Sequence, residues 1–578
     1  MKRIINNIFI AASVIVMSSC NSGFLDRYPL SNVSPETYFT NANELETYCR
    51  SFFSILPGAE AMVTDICQGD DIVSTTVPKE FSGLRTTPGN GGGWSWEALR
   101  NINFFLENSG RCDDNVARQT YDGVARFWRA YFYFTKVQRF GDVPWYDKVV
   151  GQHDEEALMK PRDSRMYIYE KMMEDLDYAI EHAPTAADPC EITKWTALAL
   201  KSRVCLFEGT FRKYRGLEGW EQCLEDCVSA SETMIRTSPY NVHKSTKDKA
   251  YGEMFISDEP SNEFILAKTY NASLNKNHYL NLHIQGASNG HPSMPRDAFL
   301  SYLCDDGTRY TDRTGYASET FYESTQKRDP RLSQTIRTQN YTYPGQSDKL
   351  QPEFSNTTTG YQISKYVTNV TTINGTNAIP YMRYSEVLLN LAEAKAELGT
   401  IRQSDIDNTI KLLRDRVGMP NLNLANANSH PDAYLASLYP NVPAGNNQGV
   451  ILEIRRERRV ELFMEGLRYY DIVRWKEGQK FTKVPRGMYI PGECEMDFDN
   501  DGTADLVIYS GSEPSHTGKC QYVNISSLSL SGGTSGEILV NSNISRVWYE
   551  DRDYFYPLPL EDLQLNTNLE QNPGWEAM

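Results

Sequence analysis

The sequence has little positive charge for its length, and it has no long apolar run. Its 578 residues carry 58 Lys and Arg against 75 Asp and Glu, which gives a formal net charge of −17. Because nucleic acids bind to a positive field, this balance argues against nucleic acid as a partner. Outside residues 4–17, no apolar stretch approaches the ~20 residues that cross a bilayer. With 40% apolar and 23% charged residues, the composition is that of a globular chain.

The motifs of several enzyme classes are also missing. The sequence contains no G-x-S-x-G nucleophile turn, no phosphate-binding loop and no dinucleotide-binding glycine pattern. It has no C-x-x-C pair, and its 8 histidines do not show zinc-ligand spacing. Aromatic residues are plentiful instead, at 12% of the chain, and Tyr is the commonest of them. Because Tyr combines an apolar face with a polar tip, this surplus suits a wet binding surface as well as a core.

The first twenty residues predict export. Residues 1–3 are basic at two positions, residues 4–17 are mostly apolar, and two serines precede Cys20. This pattern predicts a signal peptide over residues 1–19. A cysteine directly after small residues resembles a bacterial lipobox, which implies that Cys20 receives the lipid that anchors the mature chain. The alternative is a cysteine that lies by chance at an ordinary cleavage site.

The other ten cysteines do not form a regular framework. An even number in an exported chain can indicate disulfides. However, their spacing is irregular, and Cys223 and Cys227 lie one turn apart on a predicted helix, where bridging geometry is poor. The sequence favours buried free thiols, with disulfides as the alternative.

Apolar periodicity predicts a mainly α fold. Predicted helices cover residues 96–108, 119–140, 164–182, 193–211, 217–237, 385–398, 404–416 and 450–476. Paired helices joined by short turns are typical of a tetratricopeptide-like helical-repeat scaffold, although no strict 34-residue repeat occurs. Residues 241–380 and 477–546 are rich in Gly, Asn, Ser and Thr, which predicts long loop-rich insertions with few short strands. We divide the mature chain into an N-terminal helical region, 20–240, and a C-terminal region with the insertions, 241–578.

The most charged predicted helix lies within residues 453–475. Opposite charges recur there at a spacing of three residues, at 453/456, 458/461, 465/468, 468/471 and 471/474. Such pairs add a few tenths of a kcal/mol each on an exposed helix surface. The pattern favours a salt-bridged, partly buried helix over a catalytic cluster.

A second acidic segment has the spacing of a calcium loop. Residues 497–505 read D-F-D-N-D-G-T-A-D, the opening of an EF-hand-like loop. The candidate ligands are Asp497, Asp499, Asp501, the carbonyl of Thr503, and Asp505. Position 12 of such a loop would be Ile508 instead of the usual bidentate Glu. The sequence predicts a structural Ca²⁺ site here, with an acidic turn that binds no metal as the alternative.

Several segments along the chain together resemble one family. They are FGDVPW at 140–145, DPR at 329–331, YMRYSEVLLNLAEA at 381–394, the charged run at 453–475 and YFYPLPLEDLQLNTNLEQNPGW at 554–575. In this order they resemble the SusD/RagB family of surface nutrient-binding lipoproteins. The resemblance implies a tetratricopeptide-like fold, a binding site in the insertions and no catalysis. It also implies an outer-membrane, cell-surface location and a SusC-like TonB-dependent transporter as partner.

The expected ligand site follows from this resemblance and from the chemistry of sugars. Sugar rings stack on flat aromatic faces, and their hydroxyls bind carboxylate, amide and guanidinium groups. The candidate residues are Asp70, Asp71, Trp94, Trp96, Tyr302, Cys304, Tyr322 and Arg383. Trp94, which follows three glycines, is the first candidate for stacking, whereas Trp96 is expected to pack at the start of a helix. A purely structural role for both tryptophans is the alternative.

The leading hypothesis is a cell-surface lipoprotein that binds an oligo- or polysaccharide and delivers it to the transporter. In a second hypothesis the same architecture binds peptides, as in the RagB branch. A third is a glycoside hydrolase, which needs two carboxylates about 5–10 Å apart in a cleft. A passive structural surface protein is the fourth.

Overall fold

The computed structural model describes residues 38–60, 69–286, 289–369, 374–515 and 518–576. The predicted signal peptide, Cys20 and Cys67 lie outside these residues. Within them the chain is mainly helical with few short strands, as predicted. No helix in the described ranges is both long enough and apolar enough to cross a bilayer.

Nineteen α-helices and seven strands make up the described chain. The helices are α1 Ala42–Arg50, α2 Lys79–Ser82, α3 Glu97–Asn108, α4 Asn115–Phe140, α5 Glu155–Leu158, α6 Arg165–His182, α7 Lys194–Lys213, α8 Trp220–Thr237, α9 Leu280–Gln285, α10 Arg296–Ser301, α11 Phe321–Thr325, α12 Tyr384–Glu397, α13 Gln403–Asp407, α14 Ile410–Arg416, α15 Leu424–Ser429, α16 Ala433–Leu438, α17 Gln448–Glu461, α18 Arg468–Arg474 and α19 Leu560–Leu565. The strands are β1 Phe264–Lys268, β2 Ile379–Arg383, β3 Arg486–Ile490, β4 Cys494–Met496, β5 Leu506–Tyr509, β6 Gln521–Asn524 and β7 Gly536–Leu539.

The five predicted N-terminal helices all form, and their boundaries have local causes. Asp114 accepts hydrogen bonds from two backbone N–H groups at the start of α4, and Thr193 forms a capping box at the start of α7. Helix α4 ends at Gly141, whose φ is 76°. Helices α4, α6, α7 and α8 pack against one another in chain order, and α8 then contacts α12 and α12 contacts α17. These stacked helices carry the first hydrophobic core.

The long helix predicted over residues 450–476 is broken, and this part of the prediction is wrong. Helix α17 ends at Glu461 and α18 begins at Arg468. Between them Met464 and Gly466 have φ values of 60° and 75°, which reverse the chain. The predicted helix at 404–416 also divides into α13 and α14.

The insertions form a second hydrophobic core beside three small sheets. β1 pairs antiparallel with β2 and β3 with β7, whereas β5 pairs antiparallel with β4 and parallel with β6. The aromatic rings of Phe299 and Tyr361 stack at 4.3 Å in this core. Helices α12 and α17, from the second half of the chain, belong mainly to the first core. The proposed boundary at 240/241 stays a prediction.

The cysteines of the described segments are all free thiols. Cys49, Cys112, Cys205, Cys223, Cys227 and Cys304 are buried, and Cys190, Cys494 and Cys520 are partly exposed. This agrees with the preference for free thiols, although three of them are less buried than expected. Burial raises the pKa of the Cys223 and Cys227 thiols to about 12, so both are protonated at neutral pH.

A network of buried ion pairs joins the two cores around Glu461. Arg383 lies 2.6 Å from Glu263, 2.8 Å from Glu461 and 2.6 Å from Glu465. Arg416 lies 2.5 Å from the carboxylate of Glu461. Burial opposes the ionisation of Glu461, but its surrounding arginines outweigh that effect and hold its pKa well below the usual range.

The charges of α17 and α18 therefore pair mostly over long range and in the interior. Of the five predicted pairs at a spacing of three, those at 453/456 and 471/474 are ion pairs in the structure. Arg458 instead binds Asp471 at 2.8 Å. The prediction of a salt-bridged helix is confirmed, but α17 is far more buried than an amphipathic surface helix.

The network predicts a large loss of stability when one arginine is removed. In Arg383→Met three buried carboxylates lose a cation, so we expect the free energy of unfolding in urea to fall by about 3–5 kcal/mol. The control is Lys411→Met, which breaks an exposed pair with Asp415 and should change stability by less than about 1 kcal/mol. Equal losses in the two variants would contradict a structural role for the buried network.

Candidate functional site

A cleft of about 690 Å³ opens where distant parts of the chain meet. Its walls come from the segment around residues 69–81, from α10 and the loop after it, from α16, and from residues 480–486 and 531–546. The volume lies within the roughly 300–1,000 Å³ typical of small-ligand sites. The cleft thus unites the loop that carries Asp70, the loop that carries Tyr316 and loops from the C-terminal part of the chain.

Two partly exposed tyrosines, Tyr316 and Tyr434, give the cleft its aromatic surface. The Tyr434 hydroxyl donates a hydrogen bond to Asp297 at 2.8 Å, and burial together with this carboxylate raises the pKa of Tyr434 well above its usual value. Tyr316 packs edge-on against Tyr310, with ring centroids 5.9 Å apart. Each ring is held by its neighbours while part of its surface stays open.

Asp70 lies in the cleft lining within a cluster of cations. Its carboxylate is 2.5 Å from Arg468, 3.3 Å from Arg459 and 3.3 Å from Lys480. Burial alone would raise the pKa of Asp70, but these three cations hold it well below its usual range. The neighbouring Asp71 is 1% exposed and binds Arg459 at 2.9 Å. Asp71 therefore ties the loop to α17, and its expected position at the ligand surface is wrong.

The expectation that Trp94 offers an open face is also wrong. Trp94 is 5% exposed, and its ring meets Phe140 edge-on at 4.9 Å. The glycine loop folds back because Lys136 and Arg139 of α4 donate hydrogen bonds to the Gly93 and Gly92 carbonyls. These two hydrogen bonds place the Trp94 ring inside the helical core.

Trp96 lies immediately before α3, where a packing role was expected. It is partly buried against Trp94, Phe132 and Tyr146, with ring centroids between 5.2 and 5.7 Å away. Trp96 does not line the cleft.

The remaining candidates are not brought together at the cleft. Tyr302 and Cys304 are each 1% exposed, and the Tyr302 hydroxyl donates to Thr335. Arg383 is also 1% exposed and binds the buried glutamates described above. The expected ligand contacts of these three side chains are therefore wrong for the described structure. Tyr322 is partly exposed on α11 but lies outside the cleft lining.

Sequence reasoning missed several residues of the cleft. Tyr316 lies between the candidates Tyr302 and Tyr322 in sequence, but it was not itself a candidate. Tyr434 follows Asp432, the N-cap of α16, and no local signal marks it. Lys483 and Arg546 come from loops, and only the tertiary fold brings them to the cleft.

The acidic loop at residues 497–505 brings three of its aspartates close together. Carboxylate oxygens of Asp497, Asp499 and Asp501 all lie within 4.8 Å of one another. Asp497 also accepts backbone N–H bonds from Asn500 and Gly502, at 2.6 and 2.8 Å, which close the loop around it.

The other predicted ligands of this loop have different contacts. Asp505 accepts a hydrogen bond from the Phe498 N–H at 2.7 Å and is outside the three-carboxylate group. Burial, with the neighbouring aspartates, raises its pKa to about 6. The Thr503 N–H donates to Asp501, and Ile508 is buried in β5. Asp505 therefore does not join the group formed by Asp497, Asp499 and Asp501.

A second cavity, of about 1,000 Å³, lies beside the loop at residues 338–346. Tyr341 and Tyr343 line it, but the Tyr343 hydroxyl is bonded to Arg337 at 2.7 Å. This cavity borders the second core and does not include the 69–81 segment.

Comparison with known proteins gives the class of the chain. Residues 261–575 match the model of the SusD family, and residues 87–194 match a model described as starch-binding, associating with outer membrane. The first match covers more than half of the chain, and the chain belongs to the SusD family.

Individual relatives are distant but extend over most of the chain. SusD-like protein P2 of Formosa agariphila is 23% identical over 504 residues, which cover 81% of this chain and 90% of the relative. A SusD-like protein of Bacteroides fragilis has a TM-score of 0.70 at 20% identity, over 95% of this chain and 100% of its own. Surface glycan-binding protein A of Bacteroides fluxus has a TM-score of 0.57 at 17% identity, over 93% and 100%. These structural likenesses confirm the predicted helical-repeat fold class.

Proposed function

We propose that this chain is a cell-surface glycan-binding protein whose ligand occupies the 690 Å³ cleft. The observation that carries this is the pair of partly open rings, Tyr316 and Tyr434, in a lining that also holds the Asp297 carboxylate and the exposed guanidinium of Arg486. Aromatic faces suit the C–H faces of sugar rings, and carboxylate and guanidinium groups suit their hydroxyls. Proteins of similar structure include a carbohydrate-binding protein of Bacteroides fragilis and a surface glycan-binding protein of Bacteroides fluxus, which supports the same ligand class.

Binding without catalysis fits the carboxylates of the cleft best. Asp70 is held by three cations, Glu537 pairs with Arg296 at 2.8 Å, and Asp297 accepts the Tyr434 hydroxyl. A glycoside hydrolase instead needs one carboxyl group free to protonate the leaving group and a second to act as base or nucleophile. Because these three carboxylates already bind side chains of the cleft, they favour a role in holding its walls in place. We therefore do not adopt the hydrolase hypothesis.

Removing the cleft tyrosines tests the location of the site. Isothermal titration against a glycan panel should identify a ligand, and Tyr316→Ala and Tyr434→Ala should each lower its affinity by about tenfold, a loss of about 1.4 kcal/mol. Tyr549→Ala is the matched control, because Tyr549 is 50% exposed and lies outside the cleft.

The same titration separates this cleft from the Trp94 hypothesis. Trp94→Ala should lower the free energy of unfolding by about 3–5 kcal/mol, as expected for a buried aromatic ring, and should leave affinity within about twofold below the unfolding transition. If Trp94→Ala abolishes binding in a folded protein while both tyrosine variants bind normally, the proposed cleft is wrong.

We also propose that lipidated Cys20 holds the protein at the outer membrane, where it delivers glycan to a SusC-like TonB-dependent transporter. The sequence at residues 1–20 and the outer-membrane association in the description of the matched family support this location. In the native host, Cys20→Ser should move the protein from the membrane fraction to the soluble fraction. A TonB-dependent barrel should co-purify with the wild-type protein from solubilised outer membranes. Unchanged membrane association of Cys20→Ser would contradict the lipid anchor.

The aspartates of the 497–505 loop are proposed to hold a structural Ca²⁺. The D-x-D-x-D-G spacing and the close approach of three carboxylates support a hard cation with oxygen ligands. Calcium at about 100 times its dissociation constant should raise the free energy of unfolding by about 2.7 kcal/mol.

The corresponding experiment compares thermal unfolding in calcium and in chelator. Asp501→Asn should remove the calcium-dependent rise in the melting temperature, whereas Asp407→Asn, at a partly exposed position outside the acidic loop, should retain it. A wild-type melting temperature that is the same with calcium and with chelator would exclude a stabilising site.

A further inference from the structure

The lining of the cleft has an excess of positive charge, although the chain as a whole has a net charge of −17. Its charged side chains are five cations, Arg296, Lys480, Lys483, Arg486 and Arg546, and three carboxylates, Asp70, Asp297 and Glu537. A cleft lined by an excess of cations can attract anions although the net charge of the chain is negative, because a cleft focuses the field of the charges that line it.

The cleft's carboxylates are shared among more cations than they can neutralise. Glu537 binds both Arg296, at 2.8 Å, and Arg486, at 2.7 Å. Asp70 binds Lys480 together with Arg459 and Arg468 from behind the cleft wall. The positive charge of the lining is therefore not cancelled by its own ion pairs.

Two cations have no carboxylate partner at all within the segments that the structure describes. Lys483 is exposed, and Arg546 is half-buried. The Nε of Arg546 is shielded from solvent, and no acceptor in the described residues meets it. Burial lowers the pKa of Arg546, which reflects the cost of holding a guanidinium away from water. A partly exposed guanidinium that lines the cleft and has no carboxylate partner in the described residues is suited to an anionic group that a ligand brings.

We infer that the cleft selects an anionic glycan, one that carries carboxylate or sulfate groups, and that Arg546 and Lys483 pair with those groups. This inference rests on the proposed function of the same cleft. The guanidinium of Arg546 can bind two oxygens of a carboxylate or sulfate group through parallel hydrogen bonds. The ammonium group of Lys483 adds a point charge. The tyrosines then supply the stacking surface, while the cations set the charge of the accepted sugar.

The first experiment measures which glycans bind to the mature protein by isothermal titration. The probes are neutral polymers (starch, xylan, laminarin and mannan), uronate polymers (polygalacturonate and alginate) and sulfated polymers (carrageenan and chondroitin sulfate). We expect binding only among the anionic probes. Methyl esterification of a bound uronate, or desulfation of a bound sulfated glycan, should weaken binding by tenfold or more. These two treatments distinguish a carboxylate ligand from a sulfate ligand.

Ionic strength provides a measurement that needs no variant. Affinity for the anionic ligand should fall several-fold between 50 mM and 500 mM NaCl because salt screens exposed charges. A neutral glycan bound at least as tightly as its anionic counterpart would overturn the inference and leave the proposed function intact. Failure of every glycan in the panel to bind would overturn both.

Substitutions of Lys483 and Arg546 test whether these two cations bind the anionic groups of the ligand. Lys483→Gln with Arg546→Gln should lower affinity for the anionic ligand by tenfold or more and flatten its salt dependence. Lys411→Gln is the control outside the cleft, because it removes one exposed cation that does not line it. Melting temperatures confirm that each variant is folded. Anion binding that survives in the folded double variant with an unchanged salt dependence would refute the assignment.

Discussion

The fold depends on one buried carboxylate, Glu461, which is shared by three arginines from different parts of the chain. Arg331, Arg383 and Arg416 all lie within 3.0 Å of it, and none of these side chains is more than 6% exposed. An uncompensated charge in the interior costs several kcal/mol, so these groups must assemble together or not at all. Because Glu461 ends α17, its ion pairs fix this helix between the helical core and the insertions.

The same helix positions the candidate site. Arg459, two residues before Glu461, binds both Asp70 and Asp71, and Arg468 at the start of α18 binds Asp70 again. The turn at Met464 and Gly466 allows these two arginines to reach the same loop from successive helices. The loop at residues 69–76 thereby becomes one wall of the cleft. Buried electrostatics, more than the glycine loop near Trp94, determine where the cleft opens.

The sequence predicted what local patterns determine. Apolar periodicity located the N-terminal helices because each buries one face, and Ser164, Thr193 and Gly141 mark their ends. Prediction from sequence failed where partners distant in sequence determine which side chains pair and which are buried. The charge spacing of α17 suggested pairs between neighbouring residues of the helix. Instead, Arg331, which is distant in sequence, binds Glu457 and Glu461 of α17. Glu263, also distant, binds Arg383. Trp94 follows a glycine loop that looked exposed, but Lys136 and Arg139 fold that loop onto α4. Tyr434, Lys483 and Arg546 meet only in the tertiary structure, so no spacing could reveal them.

A ligand that occupies the cleft organised by α17 and α18 should protect the backbone around it. Hydrogen–deuterium exchange of the mature protein, with and without a saturating bound glycan, measures this protection. We expect slower exchange on binding in the segments at residues 69–81, 296–301, 434–438 and 480–486. Slower exchange confined to residues 338–346, beside the second cavity, with no change at the first four segments, would contradict binding in this cleft.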